Sequence, residues 1–165
     1  MTLNYLDAIL YLDPTYEVAV IGDPTVYANI DWGSETPFSE AALDAVVSVA
    51  TLNRVKNEQK ALIRKSRDEA LSRKVNYSGS DHEMSPPCLA YLAGAVAHVA
   101  GGGALPVGFK VLKTDGTQVS ADATYCKGLL DNTMSQQKNH MDTYATRLAT
   151  IDACTDEACV QAVTW

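Results

Sequence analysis

The stretch Leu62–Glu83, LIRKSRDEALSRKVNYSGSDHE, decides the architecture of this chain. Its first half is a charged helical segment carrying Arg64, Arg67 and Leu71. Its second half, Val75-Asn76-Tyr77-Ser78-Gly79-Ser80, is short and extended, and the chain stays turn-rich through Glu83. A helix that runs straight into extended chain predicts mixed α and β structure. Working outward in both directions gives an α+β fold: an N-terminal helix plus β-hairpin lobe, a long linking helix, and a C-terminal mostly helical lobe with a small β-hairpin.

Upstream, Leu3, Leu6 and Ile9 or Leu10 lie at helical spacing, and Asp13-Pro14 stops that helix. Tyr16–Ile21 is β-rich. Gly22-Asp23-Pro24 turns the chain, and Val26, Ala28, Ile30 and Trp32 alternate on one face, which predicts a hairpin over 16–32. A helix then starts near Thr36-Pro37-Phe38-Ser39-Glu40, capped either by Thr36 or by Ser39. No Gly or Pro interrupts it before Lys74. Its apolar stripe is good to Leu52 and sparse afterwards, so a long helix near 39–74 bridges two lobes or meets a partner.

Downstream, Ser85-Pro86-Pro87 opens a helix over Cys88–Ala100 that is apolar nearly all round, which predicts a core helix ended by Gly101-Gly102-Gly103. Asp115-Gly116 lies between two short β-rich runs and predicts a hairpin over 107–119. Ser120 can cap a long helix to Ala149 with Leu129, Leu130, Met134, Met141, Tyr144 and Leu148 as its apolar positions. In domain terms this is an N-terminal lobe and helix start over 1–53, a basic linking helix over 54–74, and a C-terminal helical domain over 75–165.

At 165 residues and 47% apolar, the chain is long and apolar enough to fold around a core. The net charge of −7 is unevenly spread. Residues 1–53 hold eight acids and no Lys or Arg. Residues 54–74 hold eight bases (Arg54, Lys56, Lys60, Arg64, Lys65, Arg67, Arg73, Lys74) and three acids. Without interleaved aromatics, and in an acidic protein that repels phosphate at long range, the basic block is expected to be a solvated face. Pairs such as Glu58–Lys65 and Arg64–Asp68 would lace it, and it would bind no nucleic acid. Asp7 and the lack of a basic start argue against a signal peptide. The longest apolar run, Cys88–Leu105, is too polar and Gly-rich for a membrane span. A soluble protein made in a cytoplasm, with no membrane partner, is the expectation.

The search for chemistry finds little. Asp81-His82-Glu83 has no second ligand at metal-binding spacing and is expected to be a solvated turn. His98 is expected in the core and His140 at the surface. Trp32 and Trp165 are expected as buried anchors. The glycine run lacks a phosphate-loop pattern, and there is no nucleophile elbow or paired-carboxylate arrangement. No catalytic residue, cofactor or metal site is assigned, and no enzymatic activity is expected. The four cysteines, Cys88, Cys126, Cys154 and Cys159, form no C-x-x-C. If Thr155 caps the last helix, Cys154 precedes the cap and Cys159 is the fourth helical residue. Those positions pack as a hydrophobic staple. The two sulfurs are then neighbours, either as two thiols or as a local disulfide.

The order of these features resembles small accessory proteins of bacteriophage tails. That group carries an R-x-x-R-D-x-x-L helix, an I/V-x-Y-x-G turn and a second helical block. Here these are Arg64–Leu71, Val75–Gly79 and the segments that follow. The helix Leu6–Leu10, the run Ile30-Asp31-Trp32 and the start Pro37-Phe38-Ser39-Glu40 resemble the N-terminal part of such proteins. Tyr77-Ser78-Gly79, Phe109–Thr114 with Asp115-Gly116, and the closing Ile151–Val160 with Thr155 resemble a domain of unknown function. That domain is found at the ends of tail-fibre and tail-assembly proteins. The glycine-rich Gly101–Pro106 departs from the pattern. The resemblance implies a structural component of a phage tail, at the fibre or its attachment to the baseplate. The alternative is a tail-fibre assembly chaperone that leaves before the virion matures. It also implies a fibre or baseplate protein as partner, compatibility with a homo-oligomer, and location in the virion.

Overall fold

The structure is a computed structural model that describes residues 4–72 and 74–165. The expectations placed on Met1, Leu3 and Arg73 lie outside the described residues. The fold is α+β, with a long helix linking N- and C-terminal lobes. By internal contacts the chain forms two compact units. One comprises residues up to Ile63 with Arg147–Thr164, and the other Arg64–Thr146 with Trp165. The sequence reading divided the chain into three consecutive segments, whereas here Arg147–Thr164 belong to the first unit.

The first unit begins with helix α1, Tyr5–Leu12, capped by the Asn4 side chain, which accepts from the Leu6 N–H at 2.9 Å. Strands β1 (Ala19–Val20) and β2 (Ile30–Asp31) pair antiparallel, Ala19 against Asp31 and Val20 against Ile30. This ladder is shorter than the hairpin expected over 16–32. Tyr27–Asn29 forms a 3-10 turn instead of strand, and Val26 and Ala28 are exposed, so only Ile30 of the alternating set is buried. Aromatic packing takes over from the ladder. Tyr16 stacks on Phe38 at 4.8 Å, and Trp32 lies 6.0 Å from Tyr27 and 6.2 Å from Phe38. These rings surround the core residues Ala8, Ile9, Ile30, Leu43, Val47 and Ala50. Trp32 is half-buried rather than buried.

Helix α2 runs over Glu40–Leu71. Ser39 is its cap, its hydroxyl accepting from the Ala42 N–H at 3.2 Å, and Thr36 takes no part. The second unit continues with hairpin β3 (Val75–Tyr77) and β4 (Ser80–His82), which the sequence reading treated as a turn-rich joint. Ser78 and Gly79 both take positive φ, 51° and 75°, as the tight hairpin turn requires. Helix α3 follows over Pro86–Ala100. It is not the core helix expected. Leu92 is its one buried residue, because only one side meets the core. Its end is a Schellman motif. The Gly103 N–H reaches the His98 carbonyl and the Gly102 N–H that of Val99, with Gly102 at φ 88°.

Strands β5 (Lys110–Leu112) and β6 (Gln118–Ser120) form the Asp115-Gly116 hairpin, with Val111 opposite Val119. An isolated bridge, His82 to Lys113, connects the two hairpins of this unit. Helix α4 spans Ala123–Ala153. Its cap is Asp122, which accepts from the Tyr125 N–H at 2.7 Å; Ser120 is still in strand β6. The core of the unit is Val75, Met84, Leu92, Phe109, Val111, Ala121, Cys126 and Leu129. Met134 and Met141, expected among the apolar contacts of α4, are exposed. Helix α5, Glu157–Ala162, closes the chain with Val160 buried.

Burial ranks these leucines for mutation. Leu129 is 0% exposed and Leu62 58%. Leu129→Ala is expected to cost about 2–5 kcal/mol of stability by urea denaturation. Leu62→Ala should change it by about 0.5 kcal/mol or less. Equal losses at the two positions would contradict this core.

Candidate functional site

Among the described residues of the second unit, a buried polar cluster is centred on His82. The alternation of β3 and β4 puts Val75 opposite His82, so the imidazole enters the core with Val75 instead of lying on a solvated turn. It is 0% exposed. Its Nδ1 lies 3.3 Å from the Leu112 carbonyl oxygen and its Nε2 lies 2.8 Å from the Tyr125 hydroxyl. A carbonyl can only accept, so Nδ1 carries the proton and the Tyr125 hydroxyl donates to Nε2. Both ring nitrogens are used and the ring is neutral. Burial pushes the His82 pKa down and that of Tyr125 up, which favours the same neutral pair. Tyr77 packs edge-on against Tyr125 at 5.1 Å. Enclosed in this way, the imidazole ties β4 to β5 and α4 as a structural latch. The signal for it lay in Ser78-Gly79. Read as a hairpin turn, those residues would have put Val75, Tyr77, Ser80 and His82 on one face.

The other histidines also depart from expectation. His98 is exposed, its ring lying over Gly103. His140 is half-buried and stacks on Trp165 at 6.2 Å; Trp165 is 37% exposed and so not a buried anchor. Among the described residues, no group of three or more His, Cys, Asp or Glu side chains is placed to hold a metal ion.

Cys154 and Cys159 are brought together as a disulfide, with Cα atoms 5.6 Å apart. The cap that positions them is Asp156 and not Thr155. Its carboxylate accepts from the Cys159 N–H at 2.8 Å, and the extended backbone of Asp156 turns the chain into α5. Cys159 is therefore at the third helical position, and Cys154 lies two residues before the cap. Cys126 is buried, and burial raises its thiol pKa, so it stays protonated. Cys88 is half-buried in a cleft of about 240 Å³ lined also by Glu83, Tyr91, Leu92, Lys110 and Leu112. That volume is below the range of roughly 300–1,000 Å³ usual for small-molecule sites.

Arg54, Lys56, Lys60, Arg67 and Lys74 of the basic block are engaged within their own units. In the first, Arg54 binds Asp7 at 2.8 Å and Glu58 at 2.7 Å, Lys60 binds Asp152 at 2.5 Å, and Lys56 donates to the Asp152 carbonyl. In the second, Arg67 binds Asp68 at 2.5 Å and lies 4.4 Å over the Tyr144 ring, and Lys74 binds Asp81. The expected partners Lys65 for Glu58 and Arg64 for Asp68 are thus replaced by Arg54 and Arg67. An open groove of about 560 Å³ in the first unit is lined by Leu10, Tyr11 and Ala50 together with these paired charges. Three acids, Asp7, Glu58 and Asp152, and three bases, Arg54, Lys56 and Lys60, balance around the exposed Leu10 and Tyr11. No helix among the described residues is long and apolar enough to cross a membrane. Compared with protein-family models, curated proteins and solved structures, the chain matches none.

Two outcomes follow from this chemistry. The unfolded His82 imidazole titrates near about pH 6.5, and burial lowers the folded value. As pH falls, the unfolded chain takes the proton first. The latch therefore contributes fully above that pH and is lost below it. Urea midpoints should drop between about pH 6.5 and 5, and His82→Gln should remove that slope. Hydrogen bonds hold the carboxyls of Asp13, Asp23, Asp81 and Asp115 below their ordinary range. Their own losses should appear only below about pH 4. A flat profile to pH 5 would argue against the buried latch.

Air-oxidised protein cleaved after Glu157 should keep its two C-terminal fragments joined by Cys154–Cys159. Cys126 should resist alkylation until the chain is unfolded. Free alkylation of both Cys154 and Cys159 in folded, oxidised protein would refute the pairing.

Proposed function

We propose that this chain is a structural component of a bacteriophage tail, at the tail fibre or its attachment to the baseplate, acting by binding and not by catalysis. The observation that supports this is the order of the motifs on the elements. The R-x-x-R-D-x-x-L segment is the end of α2, and the V-x-Y-x-G segment is hairpin β3–β4 with its turn at Ser78-Gly79. The Phe109–Thr114 segment with Asp115-Gly116 enters β5 and its turn, and Ile151–Val160 spans the α4–α5 junction. These four resemblances therefore fall on folded elements and the turns that join them. The partner is a fibre or baseplate polypeptide, and the groove beside Leu10 and Tyr11 is a surface of suitable character for it.

Co-expression with the neighbouring fibre or baseplate polypeptide tests the proposal. The two should co-elute on size exclusion, and the chain should be found in purified virions. Co-elution together with absence from virions would favour the assembly chaperone. Separate elution of two folded proteins would count against both readings.

A further inference from the structure

We propose that the exposed face of α4 between Lys127 and Ala145 is where two copies of this chain associate. The helices run antiparallel about a two-fold axis between Met134 and Ser135. At 100° per residue, Lys127, Asp131, Met134, Lys138, Met141, Asp142 and Ala145 fall within about 100° of the helix circumference. All seven are exposed, and all belong to the second unit. Met134 and Met141 are 54% and 45% exposed, at the spacing of a helix-pairing seam.

The charges on this face have a particular order. Lys127 pairs with Asp131, and Lys138 with Asp142 at 2.5 Å. In both pairs the base precedes the acid, which is the weaker order for stabilising a single helix. Helix propensity does not account for them either, since Asp is a poor helix former. Their positions make sense against a reversed copy. Lys127 and Asp142 are equally distant from the midpoint of Met134 and Ser135, and so are Asp131 and Lys138. Turning a second copy end for end sets Lys127 against Asp142 of the partner subunit and Asp131 against Lys138 of the partner subunit. The two-fold doubles each pair. A parallel copy in register would set every charge against its like. The complementarity therefore selects one orientation, and the contact is isologous, with Met134 of each copy beside the axis.

Sedimentation of the full chain at low salt tests this, over concentrations up to the order of 100 µM. The wild type should show a monomer–dimer equilibrium that weakens as salt is raised. Lys138→Glu sets acid against Asp131 of the partner subunit twice, and should weaken the dimer by about tenfold or more. Asp131→Lys should do the same by setting base against base. The double variant Asp131→Lys, Lys138→Glu restores opposite charges across the axis and should restore the dimer. Both positions are exposed, and an unchanged circular dichroism melt checks that each variant is folded. A wild type that stays monomeric would overturn the proposal. So would a trimer, a dimer indifferent to the single changes, or a double variant that fails to recover.

Discussion

A buried imidazole must satisfy both nitrogens with one proton between them, and the second unit is organised around that constraint. His82 comes from β4, its Nδ1 partner from β5 and its Nε2 partner from α4. One side chain thereby fixes three elements that pair only sparsely by backbone. The bridge from His82 to Lys113, and the Thr114 N–H bound to the Asp81 carbonyl at 3.0 Å, depend on the same placement. An unsatisfied buried nitrogen would cost about 1–3 kcal/mol, a sizeable fraction of what a small core supplies. The register of β3–β4 then carries Val75 into the apolar cluster on the same face.

The first unit meets the same need by another route. Its ladder is two residues long, too short to hold a lobe together. Tyr16, Tyr27, Trp32 and Phe38 supply apolar area, and the tyrosines also supply polar ends. The Tyr27 hydroxyl donates to the Phe38 carbonyl at 2.6 Å, and that of Tyr16 to the Thr36 carbonyl at 3.0 Å. These bonds fix the backbone just before Ser39 caps α2. Tyr5 donates to Asp44 at 2.6 Å, and that bond pushes the phenol pKa up to about 12. Rings carry much of the work that strands do elsewhere.

The helices and the β5–β6 turn were legible because their signals are local. Ser39, Asp13-Pro14 and Asp115-Gly116 act on adjacent residues, and α2 needed only the absence of Gly and Pro. Caps were less legible where several candidates stood together. Asp122 displaced Ser120, and Asp156 displaced Thr155, since only the geometry decides which oxygen reaches the third N–H. Burial was the least legible property. His82 looked like part of a polar turn, yet two partners distant in sequence make its burial tolerable. The helix Pro86–Ala100 looked like core, yet nothing local says how many sides its neighbours will cover. The proximity of Cys154 to Cys159 was readable because both flank one helix start, whereas the choice between two thiols and a disulfide was left open and the capping residue was misplaced.

The lopsided distribution of bases governs how the chain meets a protease that cuts after Lys or Arg. Such an enzyme finds no bond to cleave between Met1 and Arg54, so residues 1–53 stay together on one fragment. Arg54 itself lies inside α2 with its guanidinium held by Asp7 and Glu58, and helical backbone does not fit an extended substrate cleft. Cutting there requires α2 to open and the contact from Arg54 to Asp7 on α1 to break. The appearance of that one fragment is therefore a built-in reporter of local unfolding in the N-terminal lobe.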